Sequence, residues 1–390
     1  MAISFKTKRY IDKYVGGVAL LFLKPFVVAL GYLLKRDHRL DVRGRIVVIK
    51  LIGAGSLVIA LPNLLGLRRS YPGREIVLLT NRSVGRLAAE LRIFDRIEIV
   101  DHDRGLLPLM WTLTVSCFRL LGSDTVIELE VYSRLTTIIS LLLLARNRLS
   151  FYQDDILWKR HLATHLLFFH QESGVYHFYD QLFGLIGVAP APAAEIERHL
   201  RSGLARSPGR GEPSGETRIA VGHTCSAFAP ERQLSAQSWK NVLCSRFLDR
   251  QGIVFEFHGG ERDSPFADEI IAALSSALPK ARFRNRCGCS FGEMIAAFSN
   301  SDEFWGIDSA PLHIARALGL KTTSYWGPTT PAMMMRDLDP GRDTVVYRKI
   351  TCSPCVHIAM AAPCRGNNLC IKQITGVACE STSNPAWVID

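Results

Sequence analysis

Arg45-Ile-Val-Val-Ile-Lys50, followed two residues later by Gly53-Ala-Gly55-Ser56 and a helical stretch over 57–70, decides the fold of this chain. The β-branched run is apolar without alternation, as a strand buried on both faces must be, and such strands belong to parallel sheets. A glycine loop leading into a helix completes one strand, loop and helix unit. Strand-like runs recur at 75–80, 97–100 and 124–129, with apolar helical stretches at 106–121 and 133–144. This alternation predicts an α/β sheet wound on both faces.

The pattern stops at a stretch rich in Pro, Ala, Gly, Ser and Arg, of which Pro208-Gly-Arg-Gly-Glu-Pro-Ser-Gly215 is the densest part. It then restarts. Strands are expected at 218–221, 254–258, 303–305 and 321–326, and helices at 238–251, 293–300 and 311–318. The 390 residues exceed what one hydrophobic core usually organises. The division expected is a leader over 1–40, a Rossmann-like domain over 41–190, a linker over 191–216, a second Rossmann-like domain over 217–345, and a cysteine-rich tail over 346–390. With 48% hydrophobic and 21% charged residues, disorder is excluded for most of the chain.

The net charge is +11, and the first forty residues hold eight Lys/Arg against Asp12 and Asp37. A cluster of this kind suits anionic lipid headgroups. No zinc-finger, RRM or helix-turn-helix signature points to nucleic acid. Residues 14–34 are apolar on either side of Lys24-Pro25, which divides them into halves of about 15 Å each as helix. The expectation is a re-entrant hairpin or an in-plane pair of helices rather than a clean span. A helix packed on the protein's own surface is the alternative. A signal peptide fits poorly, since the run is broken and no small-residue cleavage site follows.

The most specific stretch is Phe304-Trp-Gly-Ile-Asp308-Ser309-Ala310-Pro311-Leu312-His313, continued by Thr323-Ser-Tyr-Trp-Gly-Pro-Thr-Thr-Pro331. A strand ends, Asp308 or Ser309 is expected to cap a helix, and Pro311 sits in the first turn where its missing N–H does no harm. Such a helix start is an anion site, able to hold a diphosphate. His313 can donate to the same phosphate, and Asp308 suits sugar hydroxyls.

In these residues the sequence resembles glycosyltransferase family 9, the lipopolysaccharide heptosyltransferases and their relatives, with Ala310 where the family has glycine. Further points of likeness are the Ile49-Lys50 to Gly55 loop with Leu61-Pro62, Tyr71-Pro72, Trp239, His258-Gly-Gly260-Glu261 and Cys352-Ser-Pro-Cys355. The resemblance implies a GT-B fold, with two Rossmann-like doubly wound domains facing a cleft. It also implies a nucleotide diphosphate sugar donor, ADP-linked by preference, in the C-terminal domain, and a lipid-linked or lipopolysaccharide-type acceptor on the N-terminal one. No metal is expected to take part in transfer. Heptose and hexose both fit. The location implied is the cytoplasmic face of the inner membrane. Arg232 stands where the family has a donor-contacting lysine, and Gly260 and Asp263 lie near an expected nucleotide contact.

One departure matters. Inverting transfer needs a base to take the proton of the attacking hydroxyl, and the family's aspartate after the loop glycine is here Ser56. The expected substitute is Glu130 in Glu128-Leu-Glu130, read as alternating so that both carboxylates share a face, with Arg134 to orient Glu130 or bind an anion. Asp101, His102 and Asp103 are reserves. The alternative is a catalytically impaired GT-B-fold nucleotide-sugar binding protein. Gly53, Gly55 and Ser56 would approach a substrate. Isolated Gly53-Ala-Gly55 would also suit a nicotinamide dehydrogenase, but Thr80-Asn81-Arg82 lacks the acidic residue that fold wants after its second strand.

Cys352, Cys355, Cys364 and Cys370 are candidates for a structural zinc site. Disulfide pairing and free buried thiols are the alternatives. The cysteine pattern is not that of a small secreted domain.

Overall fold

The structure is a computed structural model, and it describes residues 5–101, 104–153, 159–170, 172–203, 215–226, 229–356, 358–359, 362, 364 and 367–374. The chain divides into two compact units, Met1–Pro192 and Ala193–Asp390. Each is built on a six-stranded parallel sheet.

The first unit begins with helix α1 (Phe5–Leu34), then strand β1 (Ile46–Lys50), helices α2 (Ala54–Ile59) and α3 (Leu61–Ser70), β2 (Ile76–Thr80), α4 (Arg82–Leu91) and β3 (Arg96–Ile99). It continues with α5 (Leu106–Leu120), β4 (Thr125–Glu128), α6 (Arg134–Leu142), β5 (Asn147–Tyr152), β6 (His165–Phe168) and α7 (Val175–Gly184). The strand order is β3-β2-β1-β4-β5-β6. β1 lies in the middle, buried along its whole length, and pairs in parallel with β2 (Val48 beside Leu78) and β4 (Val48 beside Ile127). A central parallel strand must be covered on both faces, so Val47, Ile49, Val77, Leu79 and Val126 form a core with Leu113 and Leu120 of α5 and Ile139 of α6. The helix expected over 57–70 is two helices, divided at Ala60, because Pro62 opens α3.

The second unit repeats the plan with α8 (Ala193–Ser202), β7 (Thr217–Gly222), α9 (Ala236–Phe247), β8 (Ile253–Phe257), α10 (Ser264–Ser275), β9 (Arg282–Asn285) and α11 (Phe291–Ser299). Then come β10 (Glu303–Ile307), α12 (Ala310–Ala317), β11 (Lys321–Trp326), α13 (Pro331–Met334), β12 (Asp343–Tyr347) and α14 (Leu369–Lys372). Its order is β12-β11-β10-β7-β8-β9. Trp239, Phe247, Phe255, Phe257, Trp305 and Tyr325 are the large residues of its core. The segment read as linker starts with α8, whose Ile196 and Leu200 are buried. Residues 204–214 within it lie outside the described ones.

The leader is not broken at Lys24-Pro25. α1 runs through Pro25 as one helix of 30 residues. A proline removes one ladder bond and its ring crowds the preceding turn, which bends a helix more often than it ends one when the flanks favour helix and one face is packed. Such a packed face exists: Leu20 is buried with Leu141 and Leu162, beside Val27 and Ile138. At Gly16 a Cβ would come within 2.9 Å of the Arg134 Cβ, so glycine permits the close approach of α1 to α6.

Candidate functional site

In open α/β sheets ligands sit beyond the carboxyl ends of the strands where the winding direction reverses. The strand orders put that point between β1 and β4 in the first unit and between β7 and β10 in the second. Both sets of residues singled out in the sequence fall there.

In the second unit β10 ends at Ile307 and hands directly to Asp308 and Ser309, with α12 following. Neither side chain caps that helix. Ser309 occupies the N-cap position with extended backbone, but its hydroxyl donates to the Ile307 carbonyl at 3.2 Å. The helix start therefore receives no oxygen from its own cap residue, which leaves its amide dipole to a ligand. Asp308 is buried, and Arg232 donates through Nη1 to both its carboxylate (3.1 Å) and its carbonyl (2.6 Å). His313 Nε2 lies 3.6 Å from the other carboxylate oxygen. Burial opposes ionisation of Asp308, yet Arg232 and His313 hold its carboxyl far below the usual carboxylate range. Arg232 is thus a partner of Asp308 first, and reaches a phosphate only as half of that pair. Ala310 is the first residue of α12.

The loops after β7 and β8 add buried polar residues. His223, Thr224 and His258 are buried, and burial pushes both imidazoles down, His258 to about 4. Asp263 accepts from the Gly260 amide (2.7 Å) and the Thr224 hydroxyl (3.0 Å). Both bonds go to Oδ2, so this carboxylate also fixes the turn at Gly260.

In the first unit Gly53 takes φ of 91°, the left-handed conformation that only glycine adopts without strain, and starts α2 at Ala54, with Gly55 and Ser56 in its first turn. Glu130, just past β4, accepts from the Ile52 amide at 2.9 Å and pairs with Lys50 at 3.1 Å. Lys50 is buried; burial disfavours its charge, but Glu130 overcomes this and holds its pKa above the ordinary lysine value. The buried Tyr179 of α7 lies beside Ser56 and in the field of Lys50 and Glu130; burial pushes its phenol up. Ser56, Lys50, Glu130 and Tyr179 therefore form one cluster at the switch point. Lys50 was legible as a lone charge ending an apolar strand, whereas nothing local marks Tyr179.

Glu128 does not share that face. It points into the unit, where it pairs with the fully buried Lys159 at 3.3 Å and accepts from Thr136, Thr137 and Ser150. Glu130 lies two residues beyond the end of β4, so strand alternation no longer ties the two together. Arg134 meets the leader. Its backbone amide donates to Asp12 (2.9 Å), and its side chain runs along Gly16 and Gly17 of α1, because it opens α6 on the side where that helix meets α1. Asp101 is buried and pairs with Arg82 and Arg104. His102 and Asp103 lie outside the described residues.

In the tail Cys370 is buried, Cys355 and Cys364 are half-buried and Cys352 is exposed. Burial and the neighbouring thiols together raise Cys355, and push Cys370 up to about 11. Among the described residues no group of three or more His, Cys, Asp or Glu side chains is arranged to hold a metal ion.

Residues 181–364 match the model of glycosyltransferase family 9 (heptosyltransferase). No curated protein sequence matches the chain. Among solved structures, E. coli ADP-heptose lps heptosyltransferase II superposes with a TM-score of 0.59 at 15% identity, over 84% of this chain and 99% of its own. The glycosyl transferase family 9 structure from Veillonella parvula gives 0.58 at 19%, over 79% and 86%. E. coli heptosyltransferase WaaC, solved with ADP, gives 0.58 at 14%, over 77% and 92%. These likenesses establish the GT-B fold: two Rossmann-like units with doubly wound parallel sheets.

Proposed function

We propose, from the premise that residues 181–364 belong to glycosyltransferase family 9, that this glycosyltransferase moves a heptose or hexose from a nucleotide diphosphate sugar to a lipid-linked or lipopolysaccharide-type acceptor with inversion. The observation that carries the donor half is the buried Asp308, Arg232 and His313 group at the start of α12, which its own N-cap serine leaves uncapped. Amide groups at a helix start favour phosphate oxygens. Ser309, Ala310 and His313 would meet the diphosphate, while Asp308, kept ionised by Arg232, would accept from sugar hydroxyls. ADP is the favoured nucleotide, since structural neighbours of the same fold were solved with ADP and with ADP-2-deoxy-2-fluoro heptose.

For the acceptor half, Glu130 is the proposed base and Ser56 its neighbour through Tyr179. A hydroxyl attacking the anomeric carbon gives its proton to Glu130 as the sugar–phosphate bond breaks, and the nucleoside diphosphate leaves with the bond's electrons. Lys50 keeps Glu130 oriented. The Gly53 and Gly55 loop brings backbone close to a ligand without side-chain bulk. Gly260 and Asp263 act by shaping the nucleotide side of the second unit. No metal is assigned to the transfer. The tail cysteines Cys352, Cys355, Cys364 and Cys370 are not arranged here to hold a metal ion, and metal analysis finding one zinc per chain would overturn that. The leader, with its concentrated positive charge, would hold the enzyme on the inner face of the cytoplasmic membrane.

The test is calorimetric titration of the full chain in detergent with ADP, UDP, GDP and ADP-sugars, followed by a turnover assay on lipid-linked acceptors. Selective ADP binding that Asp308→Ala and His313→Ala abolish, with turnover lost at least a hundredfold in Glu130→Gln, is expected. Binding without turnover on any acceptor, unaltered by Glu130→Gln, would favour a binding protein that has lost its base.

A further inference from the structure

By length and composition Tyr10–Leu34 is apolar enough to cross a membrane, and only 6% of its most apolar window is buried. Its attachments exclude a simple crossing. Near its start, Asp12 accepts from the amides of Arg134 (2.9 Å) and Leu135 (2.7 Å) and from the Ser133 hydroxyl (3.2 Å), capping the first turn of α6. Just past its end, Arg36 donates to the Leu144 carbonyl and the His38 ring bonds the Arg146 carbonyl, beside the other end of α6. Between these ends Leu20 and Val27 pack against Ile138, Leu141 and Leu162 of the same unit, so a crossing would carry α6 into the hydrocarbon along with α1. α1 therefore stays alongside the unit, with the seam Asp12, Gly16, Leu20 and Val27 against it. Tyr14, Val18, Phe22 and Phe26 face away, exposed.

α5 presents a second such face on the same side of the sheet. Its Leu113 and Leu120 pack on the sheet with Ile139 of α6, while Ile138 and Leu141 of α6 meet α1. Opposite that buried edge, Leu107, Met110, Trp111 and Phe118 are exposed, Trp111 by 72% and Phe118 by 75%. Arg104 and Arg119, mostly exposed, stand at the two ends of this face, each also touching an acidic residue at 3.4 Å. An apolar face of this size is rare on a surface that meets only water, and Trp over a basic rim is the composition of a helix lying at a lipid headgroup boundary.

We propose that α1 and α5 form one monotopic platform that lies flat in an anionic bilayer surface, so that α5 is a membrane-binding element independent of the leader. This rests on the membrane reading of the leader and extends it to α5. α1 and α5 both pack on α6, so both exposed apolar faces are borne by helices that share one neighbour. The basic residues that flank them complement anionic headgroups.

The experiment is flotation of the full chain with vesicles of phosphatidylcholine alone and with 30% phosphatidylglycerol, for wild type and for Trp111→Glu/Phe118→Glu, which keeps α1 intact. Melting temperature and ADP titration check that the variant is folded, and Trp111→Gln serves if the double variant is not. The expected result is wild-type flotation favouring anionic vesicles and at least a tenfold loss of partitioning in the variant. Fluorescence quenching by shallow brominated lipids should be lost in Trp111→Phe. Undiminished flotation of the variant with Trp111 unquenched would overturn the role of α5 while leaving the leader's. Failure of wild type to float on either vesicle would overturn both. A variant that floats as wild type but no longer self-associates would assign the face to a second copy of the chain.

Discussion

Changing Asp308 to Asn keeps the shape of the side chain and removes its charge. The Arg232 guanidinium, 12% exposed at the side chain and 3.1 Å from that carboxylate, then loses its counter-charge. At an effective dielectric of about 20 the pair interacts by roughly 5 kcal/mol, and breaking a buried pair by losing one partner typically costs about 3–5 kcal/mol. For a unit of this size each kcal/mol moves the melting point by roughly 2–4 °C, so the second unit should melt about 10 °C lower. Removing both charges in Asp308→Leu/Arg232→Met should recover most of the stability, because no buried charge is then left alone. It should not recover ADP binding if this pair serves the donor. Scanning calorimetry and ADP titration on the three proteins decide the matter. A single variant that melts within about 1 °C of wild type would refute the energetic reasoning. A double variant that binds ADP normally would refute the site.

Lys159→Met should destabilise the first unit by about 3–5 kcal/mol in denaturant unfolding because Glu128 is left buried and unpaired, and Glu128→Gln/Lys159→Met by clearly less; equal losses would deny the pair. His258 binds its proton in the unfolded chain near pH 6.5 but in the folded one only near 4, so folding releases it between those values. Stability should accordingly fall as pH drops from 6.5 to 4, by about 3 kcal/mol from this residue, and His258→Leu should flatten the slope measured by urea melts at stepped pH. Gly53→Ala, which forces a side chain into φ of 91° with its Cβ 3.1 Å from the Ser56 hydroxyl, should cost about 1 kcal/mol and lower turnover more than ADP affinity.

Periodicity and turn chemistry are local properties, and what depends on them was legible in the sequence. The apolar, β-branched run at 46–50 reads as a strand buried on both faces, and the segment from Phe304 to His313 as a strand delivering polar residues to a helix start. Strand ends at the winding reversal then follow from connectivity. Partners distant in sequence were not legible, because nothing in a residue's neighbours states which charge will face it. Glu128 and Glu130 look equivalent in the chain, yet one meets Lys159 inside the unit and the other meets Lys50 at the switch point. Arg232 looks like a free cation in the chain, but Asp308, 76 residues on, holds it. Ser309 looks like a cap, but its hydroxyl finds a nearer carbonyl. Pro25 looks like a break, and the packing of Leu20 and Val27 keeps the helix whole. The sequence by itself determined the two wound sheets and the ends of the strands where ligands belong, since those rest on short-range patterns; only the tertiary structure decided which polar groups are spent on one another and which remain for a substrate or a membrane, since burial and pairing arise across the fold.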